Sequence, residues 1–175
     1  PSALLVLDDL YDDRGRAVLA SGTTSVRVVV TVSALDGQTA DDPRVFDDAV
    51  PRRPADTVDL TALVDEYRPG DETPAGAQRR IGPSDVAVLA ATSGTTGPPK
   101  GAQLTHANLA FNAQVYRDWS GLKTGEPVLA LSPVFHVTGL VGGVVLAMLT
   151  VSPLVLTHRV HPGVIAEAAR RHRPV

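Results

Sequence analysis

The chain has 175 residues, 43% of them hydrophobic and 20% charged, with a net charge of -3. That is enough chain and enough apolar content to bury a core, which excludes a disordered tail. The mildly acidic balance excludes a general attraction for nucleic acid or anionic lipid, and the absence of cysteine excludes disulfides and thiolate metal sites.

The chain opens Pro1-Ser2-Ala3 with no initiating Met and no basic segment, and it closes on a helical pattern followed by Pro174-Val175. Both ends are expected to be cuts within a longer chain. Ala3 to Leu7 reads as a buried strand, Leu10 to Leu19 as a weak helix and Val26 to Val32 as a β-branched strand, together one βαβ unit. Asp36 to Pro54, rich in Asp, Pro and Arg, is expected on the surface. Leu60, Leu63, Val64 and Tyr67 then fall on one helical face, and Arg68 to Pro83 reads as a solvated link.

Val86 to Ala91 is a continuous apolar run of strand length leading straight into Thr92-Ser93-Gly94-Thr95-Thr96-Gly97-Pro98-Pro99-Lys100-Gly101. After Ala102-Gln103-Leu104, Thr105 suits the N-cap of a helix reaching about Trp119. Gly121 to Pro127 breaks the chain. Val128 to Leu131 and Leu154 to Leu156 read as strands around a buried helix from Thr138 to Leu149, and Val164 to Arg171 as a last helix with a basic end. Val137 to Leu156 carries no charge, yet Gly142, Gly143 and Ser152-Pro153 divide it, so it is expected to be core and not a membrane span. The alternation predicts an α/β fold of layered, mostly parallel sheets with flanking helices. Two subdomains are expected, residues 1–122 with the loop and residues 123–175 as the start of a second.

The stretch from Thr92 to Gly101 has what a polyphosphate needs: hydroxyls from Thr92, Ser93, Thr95 and Thr96, glycines that let backbone N–H groups approach, and the cation of Lys100. Lys123 is the only other lysine among 16 Lys and Arg residues, and a flexible point charge suits a phosphate that moves during reaction. The Walker pattern is excluded, because Pro99 precedes the lysine and Gly101 follows it. The prolines disfavour helix immediately before them, so the phosphates are expected to meet a backbone nest and the helix to start only at Thr105.

The string TSGTTGPPKG followed by LTHANL resembles the phosphate-loop signature of the adenylate-forming superfamily, the AMP-dependent synthetases and ligases that include acyl-CoA synthetases, luciferases and peptide-synthetase adenylation domains. Ser132-Pro133-Val134-Phe135-His136-Val137-Thr138-Gly139-Leu140 resembles that family's next motif, closest to its acyl-CoA synthetase branch. The resemblance covers residues from about Asp85 onward and, more weakly, the first βαβ unit. It implies part of the family's large N-terminal domain and an acid ligase: a fatty or other carboxylic acid is activated as acyl-AMP and passed to coenzyme A. It also implies that Thr92, Ser93, Gly94, Thr95, Thr96, Gly97 and Lys100 bind the β- and γ-phosphates of ATP, that Thr95 contacts Mg²⁺, and that Lys100 and His136 act in catalysis, His136 as a gate at the acyl pocket. The family's later motifs, including the ribose-binding aspartate and C-terminal lysine, do not occur in these residues. The chain alone is therefore expected to be inactive and to self-associate through faces its parent covers.

Bland readings hold elsewhere. Ser21-Gly22-Thr23-Thr24 repeats the loop letters without Pro-Pro-Lys-Gly and reads as a plain turn. His158 and His161 lack a third ligand, His106 belongs to a helix start, and the pairs Asp8-Asp9, Asp12-Asp13, Asp41-Asp42 and Asp47-Asp48 read as solvated turns. Two alternatives stay open beside the acid ligase and the peptide- or polyketide-synthetase adenylation domain: a non-catalytic nucleotide- or anion-binding module and a generic phosphotransferase. Cytoplasm is the expected compartment.

Overall fold

The computed structural model describes residues 2–39, 42–46, 51–67, 80–92 and 100–174. The chain forms two compact units, Pro1–Ala77 and Gln78–Val175. The fold is α/β, with strands and helices alternating along the chain.

In the first unit β1 (Ala3–Leu7) and β2 (Val28–Val32) pair in parallel from Ala3 opposite Val28 to Leu7 opposite Val32, and the short β3 (Val58–Asp59) extends the sheet in parallel beside β2. Parallel neighbours need a crossover. It is supplied by α1, residues 8–20, whose central turn Tyr11–Gly15 is wound as a π-helix. Tyr11 is 2% exposed because its ring lies across Gly15, where a Cβ would sit 2.8 Å from the ring. α2 (Leu60–Glu66) follows β3, capped by the Asp59 carboxylate, which accepts from the Ala62 N–H at 3.0 Å.

A polar clasp ties residues 51–59 across the ends of these strands. Asp8, expected in a solvated turn, is 5% exposed and accepts from the backbone N–H groups of Asp9 and Arg52, both at 2.9 Å. Asp56 accepts from the Tyr11 hydroxyl at 2.7 Å and from Arg16 at 2.6 Å, with the Arg16 guanidinium 4.9 Å above the Tyr11 ring. Arg53, with a left-handed φ of 42°, donates to Asp36 at 2.5 and 2.8 Å and also to Asp59. Within the surface segment, Val45 and Phe46 are buried. Asp41, Asp47 and Asp48 lie outside the described residues.

In the second unit β4 (Val86–Thr92) and β5 (Lys100–Thr105) form an antiparallel hairpin, with Thr92 opposite Lys100. Among the described residues it is the exception to the otherwise parallel pairing, because seven intervening residues cannot make a parallel crossover. One side of the hairpin packs Ala87, Val88 and Leu104 against Leu109, Ala113 and Val141. Its other side is bare: Val86 and Leu89, expected in a buried strand, are 47% and 70% exposed in a sheet that has two strands among the described residues.

α3 (His106–Ser120) begins where the prolines predict. Thr105 accepts from the Asn108 N–H at 3.2 Å while the Asn108 side chain accepts from the Thr105 N–H at 3.0 Å, a reciprocal cap, and Gly121 closes the helix at φ +71°. β6 (Val128–Ala130) and β7 (Leu154–Leu156) pair in parallel across α4, residues 137–150, in which Leu140–Val145 is π-wound between α-helical ends. The uncharged run thus divides into a helix and a strand, and no helix among the described residues is long and apolar enough to cross a membrane. Leu122, Val128, Leu146 and Ala147 form one buried cluster, so the residues on either side of the division expected after 122 share a core. α5 (Pro162–His172) ends the unit, with the His161 ring accepting from the Val164 N–H at 3.4 Å as its cap.

Two consequences are measurable. Hydrogen bonding from Arg53 holds the Asp36 carboxyl below its ordinary value of 3.8, so Asp36 stabilises the fold above that value and the stability is lost as pH falls through the lower folded one. Urea unfolding of the chain at neutral pH and near pH 3 is expected to show this acid loss, with a smaller loss in Arg53→Ala. Separately, a Cβ on Gly139 would stand 2.2 Å from the Pro133 carbonyl oxygen and 2.4 Å from that of Ser132, both backbone atoms. Gly139→Ala is therefore expected to cost roughly 1–3 kcal/mol of stability by overpacking, read in the same unfolding experiment.

Candidate active site: a phosphate-loop hairpin and a histidine turn

The hairpin presents the hydroxyl- and glycine-rich loop at its open end. Thr92 and Lys100 face each other across the neck, where the Thr92 hydroxyl donates to the Lys100 carbonyl at 3.3 Å. Both side chains are exposed, and among the described residues the Lys100 ammonium has no acidic partner. A Cβ on Gly101 would meet nothing within 4 Å, so the strand beside Lys100 is open on that side. Ser93, Gly94, Thr95, Thr96 and Gly97 lie outside the described residues, so of the expected phosphate contacts the structure places Thr92 and Lys100.

His136 sits on the turn that leads into α4. Its backbone N–H donates to the Pro133 carbonyl at 3.0 Å, and its carbonyl accepts from Leu140 at 2.9 Å. The ring caps the helix, with Nδ1 accepting from the Thr138 N–H at 3.2 Å. An imidazole accepting at Nδ1 carries its proton on Nε2, which leaves that nitrogen as a donor. The turn is compact because Gly139 lets the backbone of Ser132 and Pro133 lie directly against the helix. Phe135, beside it, is 92% exposed.

Between α3 and the first turns of α4 lies a pocket of about 220 Å³. Leu104, Leu109, Val137 and Val141 give it apolar walls, and Asn108, Asn112, Tyr116 and Thr138 add polar groups. Val137 and Thr138 follow His136 directly, so the histidine turn forms the pocket's edge, although His136 and Lys100 do not line it. The Tyr116 ring is braced on Gly142, where a Cβ would stand 3.4 Å from two of its carbons.

Sequence reasoning named the loop and His136 and missed the pocket wall on α3. The signal was present: Asn108, Asn112 and Tyr116 recur every fourth residue beside the buried Leu109 and Ala113, a polar stripe next to an apolar one. Among the described residues no three His, Asp or Glu side chains gather as a metal site.

A feruloyl-CoA synthase from an Amycolatopsis species is 38% identical over 94 residues, which are 53% of this chain and 19% of that protein. An indoleacetate-CoA ligase from Aromatoleum aromaticum is 37% identical over 114 residues, 65% of this chain and 21% of that protein. The chain thus spans about a fifth of the length of these curated relatives. Among solved structures, apo MatB from Rhodopseudomonas palustris superposes with a TM-score of 0.67 over 98% of this chain and 28% of its own, at 22% identity, and so shares the fold. The model of the AMP-binding enzyme family matches residues 2–175, and the chain, with its loop-bearing hairpin and histidine turn, belongs to that family.

Proposed function

We propose that this chain is part of an ATP-dependent acid-thiol ligase, which joins a carboxylic acid to AMP and then passes the acyl group to the thiol of coenzyme A. The observation that carries the reading is the hairpin neck, where Thr92 and Lys100 close the base of a glycine- and hydroxyl-rich loop with the lysine unpaired by any described acid. A carboxylate oxygen attacks the α-phosphorus of ATP, the bond to the bridging oxygen breaks and pyrophosphate leaves. The thiol sulfur then attacks the acyl carbon and AMP departs. Negative charge gathers on the leaving pyrophosphate, and a cation with backbone donors placed there lowers the barrier.

In this reading Thr92, Ser93, Gly94, Thr95, Thr96, Gly97 and Lys100 bind the β- and γ-phosphates, and His136 stands at the entrance of the pocket between α3 and α4, which takes the acyl group. Mg²⁺ favours oxygen ligands and is commonly shared between protein and substrate phosphates. The loop offers hydroxyls without a carboxylate, so Thr95 fits Mg²⁺ as one ligand of a cation carried by the nucleotide. The bound cation neutralises polyphosphate charge. Coenzyme A is favoured over a carrier-protein thiol by relatives described as CoA synthases and ligases, and cytoplasm is the compartment that this co-substrate implies.

The test is acid-dependent pyrophosphate release by the full-length protein, followed by thioester formation with coenzyme A. Lys100→Ala is expected to lower release by about 10²–10³-fold, the usual effect of removing an electrostatic contact to developing charge, while the unfolding midpoint stays unchanged. Thr95→Val is expected to lower it more than Thr23→Val, since Thr23 lies in the plain turn. ATP binding without pyrophosphate release would support the non-catalytic module instead, and γ-phosphoryl transfer the phosphotransferase.

The 175-residue chain alone is expected to release no pyrophosphate and to self-associate. Trp119 and Phe135 are 86% and 92% exposed, and apolar surface of this kind favours association. Sedimentation velocity across a concentration series measures the second expectation; turnover by the chain alone would overturn the first.

A further inference from the structure

The pocket between α3 and α4 also bears on which acids the enzyme accepts. At about 220 Å³, with Asn108, Asn112, Tyr116, Val137 and Thr138 exposed, it is an open recess smaller than the roughly 300–1,000 Å³ that encloses a drug-sized ligand, and it seats a ring-sized group better than it covers an extended alkyl chain. Its base is buried Leu109 and Val141, which limit its depth.

The polar side is not used up by the fold. The Asn108 carboxamide oxygen accepts from the Thr105 N–H at 3.0 Å and from its hydroxyl at 2.9 Å, and is committed to the helix cap. The Asn112 amide donates to the Asn108 carbonyl at 2.9 Å, which orients the side chain and leaves its own carbonyl oxygen without a partner among the described residues. The Tyr116 hydroxyl likewise has none there, and its ring is held in place by contact with Gly142. Two oriented hydrogen-bonding groups one helical turn apart thus border an open recess with apolar walls from Leu104, Leu109, Val137 and Val141.

We propose that Asn112 and Tyr116 determine specificity, and that the preferred acid has a compact, ring-sized tail bearing a hydroxyl or similar hydrogen-bonding group. The inference rests on the acid-ligase reading, with this pocket receiving the tail. A hydroxyl satisfies the Asn112 oxygen or the Tyr116 hydroxyl, whereas a hydrocarbon tail covers both and strips their water without replacing it. A site that hydrogen-bonds a substrate group discriminates against the analogue lacking it. Here both side chains are exposed, so the discrimination is expected to be about tenfold and well below that of a sealed site.

The test measures kcat/KM for acid-dependent pyrophosphate release by the full-length enzyme with para-hydroxyphenylacetate, phenylacetate and palmitate. The hydroxylated ring is expected to exceed phenylacetate by about tenfold, with palmitate below both. Asn112→Leu and Tyr116→Phe are each expected to bring the two ring acids toward parity, mainly by raising KM for the hydroxylated one. Unchanged unfolding midpoints show that the variants fold. Equal use of the three acids, a preference for palmitate, or variants that scale all acids alike would overturn the specificity proposal and leave the ligase reading standing. Release with no acid of a wider panel would overturn the ligase reading, and this inference with it.

Discussion

The second unit depends on a contact with no room in it. Ala113 has 0% of its surface exposed, at the place where α3 meets the hairpin on one side and α4 on the other. Ala87, Val88 and Leu104 reach this cluster from the hairpin, and Val141 and Val145 reach it from α4. The phosphate-loop neck and the histidine turn are therefore positioned by the same few side chains, although they lie far apart in sequence. A larger residue at 113 would have to push the two helices apart, because close-packed interiors transmit a local change in volume to their neighbours. The reciprocal cap at Thr105 and Asn108 fixes where α3 starts, so the distance along the chain from Lys100 to the cluster is set as well.

The alternation of strand and helix was legible because it rests on local pattern. Ala3–Leu7 is the strand expected from its apolar run, and Thr105 is the cap expected from its hydroxyl and the prolines before it. Pairing direction was less legible. Val86 to Ala91 looks like an interior parallel strand, and only the short span to Lys100 shows that it must turn back on itself. Burial of single polar residues was not legible at all. Asp8 resembles any acidic turn residue until the N–H of Arg52, distant in sequence, is found on its carboxylate. Of the candidate site, the motif residues could be named from sequence, while the pocket wall on α3 needed the register of that helix against α4.

The first unit solves a different problem. Its parallel sheet has a two-residue third strand, which offers little ladder to hold the segment before it. Side chains hold it instead: Asp8 grips the backbone of Arg52, Asp56 bridges to Tyr11 and Arg16, and Arg53 spans Asp36 and Asp59. Arg53 takes a left-handed backbone to do so, a conformation that ordinary side chains adopt at some cost and that persists where surrounding contacts require it. Exposed ion pairs are individually weak, and the arrangement gains from sharing partners across several chain segments.

The π-wound stretch Leu140–Val145 in α4 places a constraint on how this region can vary. Each residue added to or removed from an α-helix rotates everything beyond it by about 100°. Val141, near the start of the stretch, packs toward Leu109, and Leu146 and Ala147 beyond it pack toward Leu122 and Val128. Deleting one residue within the wide turn would close it into ordinary helix and leave the second set of side chains near its core, whereas a deletion in the α-helical turns, or an insertion, would swing that set away. One residue can thus be lost from the wide turn, while any other change of length between the two cores belongs in the flanking turns.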